Sequence, residues 1–131
     1  MNKEVEGNCL FCDSEQMEPR IILDGRYWFV IKDNFPVGKG HALIVLKRHH
    51  SEIFDISWPE WKDLQDVIEH AKRHLDHEHH PDGYNVGVNC GEVAGQTIFH
   101  LHIHLIPRYK GDVENPRGGI RNFKKALVPY T

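Results

Sequence analysis

The sequence has no apolar stretch long enough to cross a bilayer, no internal repeat and no low-complexity tract. Its first residues lack the apolar segment of a secretion signal, which predicts a cytoplasmic protein. Basic residues are not in excess, since 16 Lys and Arg stand against 19 Asp and Glu, for a formal net charge of -3. That balance argues against a general nucleic-acid binder, which carries a broad basic face. Neither a membrane nor a nucleic acid is therefore expected as a partner.

Cysteine is also scarce, with three residues in the whole chain. An odd count that includes Cys9-x-x-Cys12 favours reduced thiols, and with them a metal, over a disulfide framework. The pair has the spacing of half a zinc site. Two buried reduced cysteines are the alternative, and Cys90 is expected to be an ordinary residue at a strand end.

What the chain does have is the composition of one globular domain, residues 1–131, with 40% hydrophobic and 27% charged residues. Short apolar and β-branched runs predict strands over 27–32, 41–47, 84–89 and 98–107, with a further strand near 20–23. The segment from 109 onward is predicted to be a loop that folds against the domain.

One long helix is predicted to begin after Ser57 and to end at Pro81-Asp82-Gly83. Ser57 and Glu60 have the spacing of a capping box. An apolar face at helical spacing is formed by Trp61, Leu64, Val67, Ile68, Ala71 and Leu75. A long helix on a mostly antiparallel sheet is an α+β arrangement.

The feature that points to chemistry is the run His100-Leu101-His102-Ile103-His104 in a chain with 11 histidines. On a strand the three imidazoles share one face, because side chains alternate. A polar, solvated strand face is the simpler interpretation. However, Gly91, Gly95, Gln96 and Thr97 precede the run and bring backbone and side-chain donors to it. Donors beside imidazoles predict a phosphate site, in which a neutral imidazole nitrogen can attack phosphorus.

With these motifs the sequence resembles the histidine-triad (HIT) family of nucleotide hydrolases and transferases, particularly members that act on dinucleoside polyphosphates. His100-Leu-His102-Ile-His104-Leu-Ile matches the family's alternation of histidine and hydrophobic residues. The resemblance runs from Cys9 to Arg108 and leaves 109–131 as a C-terminal tail. It implies a HIT-like α+β fold with about five mostly antiparallel strands, one long helix and a short helix.

The resemblance also implies roles for individual residues. His102 would attack the α-phosphate and form a nucleotidyl-histidine intermediate, which water then cleaves. The other catalytic positions would be His104, His41 and Gln96. The substrate-binding positions would be Asp33 on the ribose, Ile31 on the base, Asn89, Gly95 and Thr97.

A structural zinc is implied as well, held by Cys9, Cys12, His49 and His100, with His50 as the competing third ligand. No organic cofactor is expected. The resemblance further implies a homodimer with a nucleotide substrate. Cations in the tail and just before it suit a second phosphate or nucleotide moiety, or else they are solubilising charge; they are Arg108, Lys110, Arg117 and Arg121.

The expected function is hydrolysis of a dinucleoside polyphosphate or a related nucleotide conjugate at the α-phosphate. Two alternatives stay open. The first is a nucleoside phosphoramidase or nucleotidyltransferase that uses the same intermediate. The second is a zinc-stabilised nucleotide-binding module without turnover.

Overall fold

A computed structural model describes residues 8–121, which form one five-stranded sheet with two helices. The strands are β1 Ile21–Asp24, β2 Trp28–Lys32, β3 Ala42–Leu46, β4 Gly83–Gly87 and β5 His102–Arg108. The helices are the short α1 Ser14–Met17 and the long α2 Trp58–His79. The predicted α+β class, with its five antiparallel strands, one long helix and one short helix, is confirmed.

The sheet has the strand order β1-β2-β3-β5-β4, and every neighbouring pair is antiparallel. β5 therefore lies inside the sheet, between β3 and β4. His102 stands opposite Val45 of β3, and His104 stands opposite Leu43. This register fixes both histidines beside a fully buried strand, because every residue of β3 is buried.

Each face of the sheet has its own apolar cluster. On one face, α2 packs over β2, β3 and β5, and its buried side chains include Leu64, Val67, Ala71 and Leu75. On the other face, Phe11 and Met17 of the N-terminal segment cover Phe29, Ile31, Leu43 and Val45. The N-terminal segment thus lies on the face opposite to α2.

The start of α2 follows the sequence prediction. The Ser57 side chain accepts from the Glu60 backbone N–H at 3.3 Å, and Glu60 Oε1 accepts from the Ser57 N–H at 2.7 Å. Glu60 is buried and pairs with Arg48 at 2.6 Å, which stabilises its ionised form. Trp61 departs from the predicted apolar face, because 45% of its surface is exposed.

The last strand begins later than predicted, at His102 and not near residue 98. The cause is a change in hydrogen bonding before the strand, since the Leu101 N–H donates to the carbonyl of His50, beyond the end of β3, at 2.7 Å. His100 therefore precedes the regular strand.

Neither helix in the described part has the apolar length that crossing a bilayer would require. The beginning of the predicted tail contacts the domain, since the Tyr109 hydroxyl donates to the Lys39 carbonyl at 2.7 Å and the Lys110 N–H donates to Asp82 at 2.8 Å. The rest of the predicted tail, 122–131, lies outside the described residues.

Candidate functional site

His102 is held by its own strand in one protonation pattern. Its Nδ1 lies 2.7 Å from the backbone carbonyl of His100, and a carbonyl can only accept, so Nδ1 carries the proton. Burial lowers the pKa of His102, which favours the neutral ring. The ring is 9% exposed. A neutral ring with its proton on Nδ1 has an unprotonated Nε2, the form that a nucleophile needs.

His104 lies next to His102 on the same face, with the two ring centroids 5.3 Å apart. Its Nδ1 lies 2.9 Å from Nε2 of His41, and Asp33 Oδ2 lies 3.3 Å from that same Nε2. We call Asp33, His41 and His104 the relay group. Burial, with His102 and His41 nearby, lowers the pKa of His104 to about 4, so its ring is neutral at pH 7.

A backbone donor sets the direction of hydrogen bonding in the relay group. The Val37 N–H donates to Nδ1 of His41 at 3.1 Å, so the neutral His41 ring carries its proton on Nε2. That proton faces two acceptors, His104 Nδ1 at 2.9 Å and Asp33 Oδ2 at 3.3 Å. The shorter contact fills Nδ1 of His104 and leaves its Nε2–H as a donor. The three residues are close enough to hold a metal. However, a protonated Nε2 cannot be a ligand, so the geometry favours a hydrogen-bonded relay.

Four side chains converge at His100, the first residue of the histidine run. His100 Nδ1 lies 3.3 Å from Cys9 Sγ, 3.4 Å from Cys12 Sγ and 3.2 Å from His49 Nδ1. Cys12 Sγ lies 3.1 Å from His49 Nδ1. All four donor atoms lie within 4.8 Å of one another. We call Cys9, Cys12, His49 and His100 the four-ligand group.

The four-ligand group has the chemistry of a tetrahedral zinc site. With metal–ligand bonds of about 2.0–2.3 Å, ligand atoms around Zn²⁺ stand roughly 3.3–3.8 Å apart, close to the separations here. His100 Nε2 lies 2.6 Å from the Leu46 carbonyl and carries the proton, so Nδ1 faces the thiols with its lone pair. Burial lowers the pKa of His100 to about 4, which keeps that lone pair available. His50 is outside the group and lies 3.5 Å from Asp55.

The loop before the histidine run is held by Gln96. Its Oε1 accepts from the Gly91 N–H at 2.8 Å, and its Nε2 donates to the carbonyls of Ser51 and Ile98, each at 3.2 Å. Gln96 is 4% exposed, and both of its N–H donors are used within the protein. Thr97 is exposed. Gly91 has φ 93°, a backbone conformation that glycine adopts without strain.

A cavity of about 790 Å³ opens beside the relay group. Among the predicted site residues, its wall contains His41, His104, Asn89 and Gly95. The other lining residues are Val37, Asn85, Gly87, Val88, Val93, Ala94, Ile106 and Ile120. Its size and its mostly apolar wall with a few polar groups are typical of small-molecule sites.

The sequence did not indicate that Ile31 is covered or that Phe11 contacts the histidine run. Ile31, predicted to line a base pocket, is 0% exposed and lies beneath the N-terminal segment. Phe11, which carried no prediction, packs edge-on against the rings of His100 and His102. The only sequence signal for Phe11 is its place between Cys9 and Cys12.

Comparison with known proteins identifies the family. The family model described as HIT domain matches residues 14–111. An uncharacterised HIT-like protein of Mycoplasma genitalium is 35% identical over 84% of this chain and 79% of its own length. AP-4-A phosphorylase of Mycobacterium tuberculosis and bis(5'-adenosyl)-triphosphatase of Saccharomyces cerevisiae are each 32% identical, over 72% and 70% of this chain. The matches span only 49% and 45% of those two enzymes.

Solved structures agree with the fold. A HIT family protein from Bacillus subtilis superposes with a TM-score of 0.73 at 27% identity, over 94% of this chain and 83% of its own. A structure described as a Zn-bound histidine triad family protein from Mycobacterium smegmatis gives a TM-score of 0.70 at 26% identity, over 95% and 86%.

Proposed function

Because this chain belongs to the HIT domain family, we propose that it is a nucleotide hydrolase that cleaves a dinucleoside polyphosphate, or a related nucleotide conjugate, at the α-phosphate. The names of two relatives refer to bis-adenosyl polyphosphates and support this substrate class. Those relatives are about twice as long as the segment they share with this chain. Their activity is therefore assigned to this protein only as a proposal.

The observation that carries the proposal is the hydrogen bond from His102 Nδ1 to the His100 carbonyl at 2.7 Å. It leaves the Nε2 lone pair to attack phosphorus. A P–N bond then forms, the P–O bond to the departing nucleotide breaks, and its electron pair stays on the leaving oxygen. As the ring becomes positively charged, the His100 carbonyl stabilises the Nδ1–H.

The second half of the reaction releases the nucleotide from His102. Water attacks the phosphorus of the intermediate, the P–N electron pair returns to Nε2, and the surplus proton of the water goes to solvent. Throughout, Nε2–H of His104 donates to a non-bridging phosphate oxygen. His41 keeps that proton on Nε2 of the His104 ring, since His41 Nε2–H occupies Nδ1 at 2.9 Å, while the Asp33 carboxylate faces the same N–H of His41 at 3.3 Å.

The four-ligand group would hold a structural zinc, because its four donor atoms match a closed Cys2His2 set. Bound zinc would cross-link the N-terminal segment to His49 after β3 and to His100 before β5, with no open position for chemistry. The homodimer and the cytoplasmic location stay predictions from the sequence, and a mass measurement in solution tests the first.

The test is turnover of diadenosine polyphosphates, adenosine phosphoramidates and nucleotide sugars by the native protein, by His102→Ala and by His77→Ala. His77 is exposed on α2 and serves as the matched histidine control. We expect His102→Ala to lower kcat by about 10⁴-fold or more, as loss of a nucleophile does in other enzymes. His77→Ala should match the native rate.

The intermediate is tested separately by rapid quenching with substrate labelled at the α-phosphate. A protein adduct that is lost in acid, is stable in base and is missing from His102→Ala supports the mechanism. Turnover of the phosphoramidates alone would assign the phosphoramidase activity instead. Absence of turnover for every substrate would leave a binding module and reject the hydrolase.

A further inference from the structure

The turn between the two cysteines places one aromatic ring beside the histidine run. Leu10–Cys12 forms a single 3-10 turn, closed by a hydrogen bond from the Cys12 N–H to the Cys9 carbonyl at 3.1 Å. Phe11 lies at the middle of this turn and is buried. Both residues that bracket the turn belong to the four-ligand group, so a metal held there would fix the position of the Phe11 backbone.

The Phe11 ring contacts the ring of His102. Their centroids are 5.0 Å apart with an interplanar angle of 62°, and the His100 ring lies 5.7 Å from Phe11 at 79°. Both are edge-to-face arrangements at favourable distances. Because the imidazole ring is planar, an aromatic ring packed against it opposes rotation of the His102 ring about its Cβ–Cγ bond.

The second group that holds His102 also comes from the four-ligand group. The carbonyl that accepts from His102 Nδ1 is that of His100, whose own Nδ1 faces the two thiols. Thus the ring of His102 is fixed by a hydrogen bond from one side and by an aromatic contact from another. Both contacts are made by residues that are, or lie between, members of the four-ligand group.

We propose that Phe11 is a positioning residue, which together with the His100 carbonyl couples metal binding at the four-ligand group to the orientation of the His102 ring. The proposal rests on the proposed function, in which Nε2 of that ring must lie in line with the bond that breaks. In-line attack tolerates little misorientation. Loss of metal would relax the Cys9–Cys12 turn and loosen the contact between the Phe11 ring and the His102 ring.

The experiment compares full-length Phe11→Leu with Phe29→Leu. Phe29 lies on β2 in the same buried cluster, and among residues 8–121 it makes no aromatic contact with a histidine, so it is a matched Phe-to-Leu control. Ring ¹⁵N signals of ¹⁵N-histidine-labelled protein, with His102 assigned through His102→Ala, report the tautomer and motion of the ring without requiring activity.

Zinc-loaded native protein and Phe29→Leu should each give one sharp His102 ring signal with the proton on Nδ1. Phe11→Leu should keep one zinc per chain but show a broadened or mixed signal, with kcat lowered about three- to tenfold and KM little changed. Native protein stripped of zinc by a chelator should show the same broadening. Absence of turnover in native protein would reject the proposed function, while the ring signals would still test the coupling.

A His102 signal that stays sharp in zinc-stripped native protein would overturn the coupling, as would any of three outcomes with Phe11→Leu. The first is a His102 signal in Phe11→Leu as sharp as in Phe29→Leu. The second is loss of zinc from Phe11→Leu, since Phe11 would then support the metal site itself. The third is a change in KM alone, which would make Phe11 a substrate contact.

Discussion

The four-ligand group and the relay group lie on either side of His102, and they differ mainly in where backbone atoms place one proton. In the four-ligand group, His100 donates its Nε2 proton outward to the Leu46 carbonyl at 2.6 Å, so the lone pair on Nδ1 faces inward. In the relay group, the Val37 N–H occupies Nδ1 of His41 at 3.1 Å, so the proton of His41 faces inward. An inward lone pair suits a metal, whereas an inward proton suits a hydrogen bond.

This difference shows that residue types alone do not separate the two groups. Each combines two histidines with cysteine or aspartate side chains at metal-like separations. The partners of the outer ring nitrogens, both of them backbone groups, decide which group can donate lone pairs to an ion. The four predictions that follow test this distinction.

The largest expected effect is loss of a ligand from the four-ligand group. His49→Ala should release zinc and lower the free energy of unfolding by more than about 3 kcal/mol, because removing a structural metal is among the most destabilising changes. The neighbouring His50→Ala is the matched control, since His50 lies outside the group. Metal analysis and denaturant unfolding measure both variants, and equal zinc content in the two would contradict the assignment.

The second largest expected effect is a loss of stability in acid, caused by protonation of His104. The pKa of this ring falls from 6.5 to about 4 in the folded state, with His41, His102 and Asp33 as the titratable neighbours. Between those values the unfolded chain binds more protons, so stability is lost as the pH falls. Over this range the unfolding free energy of the native protein should fall more than that of His104→Asn, by on the order of 2 kcal/mol. Parallel pH profiles from denaturant titrations would refute a buried, neutral His104.

Much of the fold could be predicted because its signals are local. The capping box at Ser57 and Glu60 fixed the start of α2, and the alternating run predicted that His102 and His104 share a face. The predicted start of β5 was wrong because a tertiary hydrogen bond, from the Leu101 N–H to the His50 carbonyl, redirects the chain before the strand. No periodicity in the sequence encodes such a contact.

The candidate site was predictable in its residue types but not in its hydrogen bonds. Spacing and resemblance indicated Asp33 and His41, yet their contact at 3.3 Å depends on the turn between β2 and β3. Gln96 was predicted to act on substrate, while the structure shows its amide holding the loop. Tautomers depend on backbone groups that every residue carries, so sequence letters do not reveal them.

The third effect tests the relay group directly through Asp33→Asn. The amide can still accept from the Phe35 N–H, as Asp33 Oδ1 does at 2.9 Å, but it lacks the charge beside His41. We expect kcat to fall about tenfold, with zinc content unchanged, because the negative charge of Asp33 favours the positively charged His102 ring of the intermediate. The exposed Asp24→Asn is the control.

The same variant separates two roles for Asp33. A rise in KM with kcat unchanged would favour the ribose contact that the resemblance implies over the relay. A loss of bound metal from Asp33→Asn would mean that the relay group is itself a metal site, and the distinction between the two groups would fail.

The smallest expected effect concerns Gln96, whose side chain joins the two regions. Its amide links Gly91, in the loop before the histidine run, to Ser51 and to Ile98, which lines a cavity together with Cys9 and His49. Gln96→Met keeps the length of the side chain but leaves these backbone groups unpaired. The free energy of unfolding should therefore fall by about 1–2 kcal/mol. KM should rise as the loop loosens, with kcat and zinc content nearly unchanged, and Gln65→Met, at an exposed glutamine of α2, serves as the control. If kcat fell and KM stayed constant, Gln96 would act in the chemical step, and the catalytic machinery would extend beyond His102 and the relay group.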